Sequence, residues 1–246
     1  MGVKKTSIKE KDYDILKKVS DKNNFSLKEL MLIYSKESDS GSNLHRKGSG
    51  YYGSFQFGEE AISTINQNRK STNKFTLNDA KTDLSKSAQA YIDYVGINKK
   101  AFATAKKRYG IVSEPMLEGF DQTTKNYLMH QQGAYGLASI MKTITQNNPH
   151  SYATTRSALM ENGTWGTATR SSSNTREAML GNLTSTQKKF FIDSTKTVPE
   201  ASQYFLNSVK NQLIDIEGQT DSSIKEYSDD TSFFFPDENV MNEALG

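Results

Sequence analysis

A chain of 246 residues with a mean hydropathy of −0.70 can bury a sizeable core, yet no run approaches the ~18 apolar residues of a membrane-spanning helix. It has no cysteine, which excludes disulfides, thiolate metal sites and cysteine nucleophiles. Its histidines, His45, His130 and His150, stand far apart with no i,i+4 pair, so neither a metal centre nor a cofactor is expected.

The net charge of +3 is unevenly distributed. Ile216 to Gly246 holds eight acidic residues and one basic, a local charge of −7, which leaves +10 on the rest of the chain. A basic body suits a polyanionic partner. A merely solvated surface rich in lysine is the simpler reading of charge alone.

The N-terminal stretch "MGVKKTSIKEKDYDILKKV" is basic but lacks an apolar segment, so no cleaved secretory signal is expected. Gly2 with Thr6 fits a myristoylation pattern too short to carry weight. Helical signals then dominate. Ser7 with Glu10 and Ser26 with Glu29 both read as capping boxes, in which side chain and backbone satisfy each other at a helix start. Behind the second, Leu27, Leu30, Met31 and Tyr34 form an apolar stripe of helical period, and Glu37 continues it.

"GYYGSFQF" alternates aromatic with small or polar residues, which predicts one short β-hairpin. Leu77 to Val95 reads as an amphipathic helix opened by Thr76 and closed by Gly96, and Asn98 to Tyr109 as a short basic helix ended by Gly110. Asp121 is placed to cap one long helix carrying Tyr127, Leu128, Gln131, Ala134, Tyr135, Ala138 and Met141. "NGTWGTATRSSSNTREAMLGNLTS" reads as a long polar loop. "TVPE", Thr197 to Glu200, is a further capping box before Phe205, Val209, Leu213 and Ile216. The acidic end, with Phe233 to Phe235, reads as a docking tail. The expected organisation is one mainly α domain over 1–215, with a motif-bearing core at 26–142 and further helices and the polar loop over 150–215, followed by an acidic tail at 216–246.

The chemistry concentrates after the Ser26 helix. Glu37 sits on the buried stripe at a helix C-terminus, where desolvation beside Ile33 and Tyr34 and the helix dipole both oppose ionisation. Such a carboxyl suits a general acid that protonates a leaving oxygen. Gly48, Gly50 and Gly53 permit tight turns and close backbone approach to a ligand, Tyr51, Tyr52 and Phe55 supply flat faces, and Gln56 a neutral hydrogen-bonding group. Sugars bind through such mixtures, so a glycosidic bond is the suggested target.

"ES" at Glu37–Ser38, a polar gap and "GYYGSFQF" resemble the lytic transglycosylase pattern, a Glu-Ser helix end followed by a G-x-x-G-(L/S)-(M/F)-Q segment. "YLMHQQGAYGLASIMK" is similar to that family's later motif in its His-Gln-Gln-Gly form, the one associated with lysozyme-like domains of phage tail and virion proteins. Two departures stand out: His130-Gln131-Gln132 replaces tyrosine-asparagine, and Ser54-Phe55 replaces leucine-methionine.

The resemblance implies a mainly α (α+β) lysozyme-like fold with a small β element beside the cleft. Glu37 is then general acid and base at the MurNAc–GlcNAc β-1,4 bond of peptidoglycan. Ser38, Tyr52, Gly53, Ser54, Phe55, Gln56, His130, Gln131, Gln132 and Tyr135 are the implied substrate contacts. Hydrolysis would instead need a second carboxylate roughly 5 to 9.5 Å away, with Asp39, Glu59 and Glu60 nearest in sequence.

Simpler readings stand beside these. Tyr51, Tyr52 and Phe55 also suit hairpin packing, His130 a satisfied helix histidine, Gly133 and Gly136 close helix packing, and Trp165 a loop anchor. The expected partners are glycan strands and, through the acidic tail, other virion or tail proteins; the expected location is a virion acting at the cell wall. The rival class is a structural virion protein of the same fold without activity. Nucleic-acid binding is not expected, since basic and aromatic residues are not interleaved.

Overall fold

The computed structural model describes residues 7–45, 50–146 and 198–228. The polar loop with Trp165, His150, Gly48, Thr197 and Phe233 to Phe235 lie outside the described residues. What is described is mostly helical: α1 (Glu10–Asn23), α2 (Leu27–Ser38), α3 (Glu59–Gln67), α4 (Leu77–Thr82), α5 (Leu84–Tyr109), α6 (Gln122–Gln132), α7 (Ala134–Gln146) and α8 (Val198–Ser228), with 3-10 turns at Ser71–Asn73 and Pro115–Leu117.

The 26-residue α5 is the spine. It packs against α1, α3, α4, α6 and α7, while α8 closes over α2, α6 and α7. Its buried side, Ala88, Tyr91, Val95, Asn98, Phe102 and Ala105, keeps helical period straight through Gly96. The expected stop at Gly96 therefore does not occur, because packing on both sides outweighs the roughly 1 kcal/mol by which one glycine disfavours a helix. The break falls earlier, at Asp83, whose extended backbone and side-chain bond from the Lys86 amide (3.0 Å) start α5 afresh.

The other capping expectations divide. Ser26 caps α2 by accepting from the Glu29 amide, and Thr76 with Asp79 forms a complete capping box on α4. Ser7 does not cap α1, which begins after Lys9 without a side-chain cap. Asp121 caps α6 by accepting from the Thr124 amide at 2.7 Å, but the expected long helix is two. Gly133, at φ 70° and ψ 158°, holds a conformation essentially reserved for glycine and separates α6 from α7. Its role is that bend, since a Cβ there would meet nothing within 4 Å.

Among the described residues there is no strand. "GYYGSFQF" contains two isolated antiparallel bridges, His45 with Tyr52 and Tyr52 with Phe57, in place of the expected hairpin. Positive φ at Gly53 (78°) and Gln56 (50°) curls the segment too tightly for strands to extend.

α8 runs unbroken through the expected 215/216 boundary. Thr220 and Ser223 are buried, the Tyr227 ring lies 5.1 Å from that of Tyr13, and the Tyr227 hydroxyl donates to the Ile8 carbonyl at 2.9 Å. Residues 216–228 thus belong to the helical body.

Candidate functional site

Glu37 lies in the last turn of α2 and is 8% exposed. Directly after it the chain turns back through left-handed residues at Asp39 (φ 52°), Ser40 (51°) and Gly41 (81°). Ser38 organises this reversal: its fully buried hydroxyl donates to the Tyr34 carbonyl (2.8 Å) and accepts from the Gly41 amide (3.1 Å). A Cβ on Gly41 would stand 2.2 Å from the Tyr34 hydroxyl, which itself donates to Asp12. The reversal is therefore packed directly beneath the α2 aromatic that precedes Glu37.

The glycine-rich segment is held by its own polar groups. Tyr52 and Phe57 exchange backbone hydrogen bonds at 3.0 and 2.9 Å, and the Gly53 amide donates to the Leu44 carbonyl at 2.7 Å. A Cβ on Gly53 would lie 1.8 Å from the Ala80 carbonyl oxygen. The close approach expected of this glycine is thus made to the end of α4. Gln56 donates through Nε2 to the Gly53 and Asn43 carbonyls, while its buried Oε1 accepts no hydrogen bond.

Phe55 is fully buried, stacked 5.1 Å from Tyr91, and presents no surface to a ligand. Tyr52 is half-buried, stacked on His45 at 4.7 Å with the Lys81 ammonium 3.8 Å from its ring centre. Ser54 is buried, whereas Tyr51 and Tyr135 keep 36% and 41% of their surface. Gln131 and Gln132 are half-buried at the end of α6, and both amide atoms of Gln131 are enclosed without a hydrogen bond.

His130 joins the two motif segments. Its Nε2 lies 3.0 Å from the Phe55 carbonyl across 75 residues of sequence. A carbonyl only accepts, so Nε2 carries the proton and Nδ1 is left as a buried lone pair with no partner. The residue keeps some exposed surface, but the ring is closed in by Phe57, Tyr91, Tyr94 and Tyr127. Burial pushes its imidazole below the ordinary range, against the upward pull of the Glu37 charge and the Phe55 carbonyl.

Glu37 also acts on Tyr51 and Tyr91. Burial first, then Glu60 and Glu37, raises the Tyr51 hydroxyl; burial, then Glu29, with a smaller contribution from Glu37, raises that of Tyr91. Glu37 on α2 is thus within electrostatic reach of Tyr51 in the glycine-rich segment, Tyr91 on α5 and His130 on α6. Among the described residues no group of three potential ligands could hold a metal ion.

Sequence reasoning assigned Glu29 only to a capping box and did not single out Tyr91 for the site. The Glu29 backbone does serve the cap, but its side chain is 5% exposed and turns inward. One carboxylate oxygen accepts from the Tyr91 hydroxyl (3.0 Å) and the Asn126 amide (2.9 Å). Burial raises this carboxyl, opposed by the Asn126 and Tyr91 hydrogen bonds. The available signal was position: Leu32 and Ile33, three and four residues on, place Glu29 beside a buried apolar face.

Compared with known proteins, the chain matches no family model, no curated protein and no solved structure.

Proposed function

We propose that this chain cleaves the glycan strands of peptidoglycan as a lytic transglycosylase on a lysozyme-like fold, with Glu37 as the single acid and base. The observation that carries the reading is the contact between the two motif segments, within electrostatic reach of one buried carboxyl. His130 of the His-Gln-Gln-Gly segment bonds to the backbone of the glycine-rich segment, and the Glu37 charge reaches both His130 and Tyr51.

Glu37 protonates the oxygen linking MurNAc to GlcNAc as the C1–O bond breaks. The resulting carboxylate takes the proton of the muramic 6-hydroxyl, whose oxygen closes on C1 as a 1,6-anhydro ring. One carboxyl completes both transfers, so no water is consumed. The neutral Nε2-protonated His130 adds no second charge within electrostatic reach of that carboxyl. Delivery in a virion fits this activity as a means of local wall penetration.

A second reading, hydrolysis of the same bond, is favoured by one feature: Tyr51 is within electrostatic reach of both Glu37 and Glu60, which makes Glu60 the candidate second carboxylate. Mass spectrometry of the fragments released from purified peptidoglycan separates the readings. Anhydro-muropeptides are expected from the wild type, and Glu37→Gln should reduce release by about a hundredfold or more while the circular dichroism spectrum stays unchanged. Reducing ends would select hydrolysis, and release that survives Glu37→Gln would refute the assignment. No release by either chain would favour a structural protein.

A further inference from the structure

Glu29 and Glu37 occupy opposite ends of α2, and both are buried. An acid as enclosed as Glu29 is stable only with partners, and its partners define its role. One oxygen receives the Tyr91 hydroxyl from α5 and the Asn126 amide from α6; Thr123 stands 3.5 Å from the other oxygen. Asn126 is oriented in turn by accepting from Gln122 at 2.8 Å. One carboxylate thus ties together the three helices that supply Glu37, Tyr91 and His130.

Tyr91 carries this constraint to the site. Its fully buried ring is stacked on Phe55, whose carbonyl holds His130, and lies 5.4 Å from the His130 ring at 70°. The same ring feels the Glu37 charge. It is therefore a wall of the His130 pocket, fixed from behind through its hydroxyl.

We infer that Glu29 is a positioning residue: by anchoring the Tyr91 hydroxyl and Asn126, it sets His130 relative to α2, the helix that carries Glu37. This assignment rests on the peptidoglycan reading only for its kinetic consequence. Glu29 touches neither the reacting atoms nor His130, so its effect passes through Tyr91 and through Asn126 on α6, the helix that carries His130.

The test uses the full chain as Glu29→Leu, which removes the acceptor at similar size, Tyr91→Phe and the double variant, with Val19→Ala as a control that loses core packing on α1, a helix that supplies none of the network's polar groups. Two quantities are followed: the nitrogen and proton signals of the His130 imidazole, resolvable in a chain with three histidines, and the kinetics of wall solubilisation. Both single variants are expected to shift the His130 signals and to lower kcat about tenfold or more with KM within about twofold. The double variant should lose little beyond Glu29→Leu alone, because that change already removes the acceptor of the Tyr91 hydroxyl. Val19→Ala should keep the His130 signals and kcat while losing stability.

If Glu29→Leu and Tyr91→Phe behave like Val19→Ala in both readouts, the assignment is overturned. If Glu29→Leu does not fold, Tyr91→Phe, which lacks only one hydroxyl, decides by itself. A wild type that releases no wall fragments would sink the peptidoglycan reading alone, and the His130 signals would then decide the role of Glu29.

Discussion

At the scale of the residue, His130 is held neutral by its surroundings, and this gives a pH dependence of known sign. Its folded value lies below the ordinary 6.5, so in the window between the two the unfolded chain binds more protons. The stability contributed by the neutral ring is complete above 6.5 and is lost as pH falls through the folded value. The margin of the wild type over His130→Gln, measured by urea unfolding at about pH 7.5 and about pH 5.5, should therefore narrow on acidification. Glu29 has the opposite sign. Its raised carboxyl stabilises most below the ordinary 4.5 and loses that contribution as pH rises through the folded value, but it is common to both chains and cancels in the comparison.

The same scale shows the limit of reading side chains one at a time. Glu37 on the α2 stripe was legible because its period continues that of Leu30 and Tyr34, and it is buried as expected. Glu29 was misread because its backbone fits a local rule while its side chain answers to Tyr91 and Asn126, 62 and 97 residues away. Phe55 failed as a sugar platform for a related reason: an aromatic in a glycine-rich loop has the same sequence signature whether it faces a ligand or Tyr91.

At the scale of the element, caps decide where helices start. Asp121 fixes the N-terminus of α6, the helix that carries Asn126 and His130. Asp121→Ala should cost about 1 kcal/mol of stability, as read by urea or thermal unfolding. The helices were mostly legible, since amphipathic period and caps are local properties. Their junctions were not. Gly96 and Gly133 look alike in sequence, yet the first is an ordinary helical position under tertiary packing and the second a backbone reversal. The hairpin expectation failed because period-2 alternation does not report the φ of Gly53 and Gln56, which closes the segment into a curl.

At the scale of the whole molecule, α8 locks the bundle. Lys28 on α2 pairs with Glu217 (2.6 Å) and Asp221 (3.1 Å), and Lys36 donates to Gln212 at 2.5 Å. Phe205, Leu206, Val209 and Leu213 fill the core beneath. The exposed ion pairs contribute little individually, so burial along the helix supplies most of the stabilisation. A chain ended after Asp215 loses the buried Thr220 and Ser223 together with Ile224 and Tyr227, and should unfold at lower urea with a loss of ~3 kcal/mol or more. The sequence marked this region as acidic, which suggested a separate tail. Two of those acids instead face Lys28.

The docking of α8 also orders events in time. A ribosome that has completed α2 has not yet made Gln212, Glu217 or Asp221, partners that lie 176 to 193 residues further on for Lys36 and for the Lys28–Asp221 contact. The Ile8 carbonyl waits still longer, 219 residues, for Tyr227. Such contacts close large loops and form late. The helix bearing Glu37 therefore reaches its final setting only once α8 has been synthesised, and a nascent chain stalled before α8 would hold Glu37 on a helix that still lacks its α8 contacts.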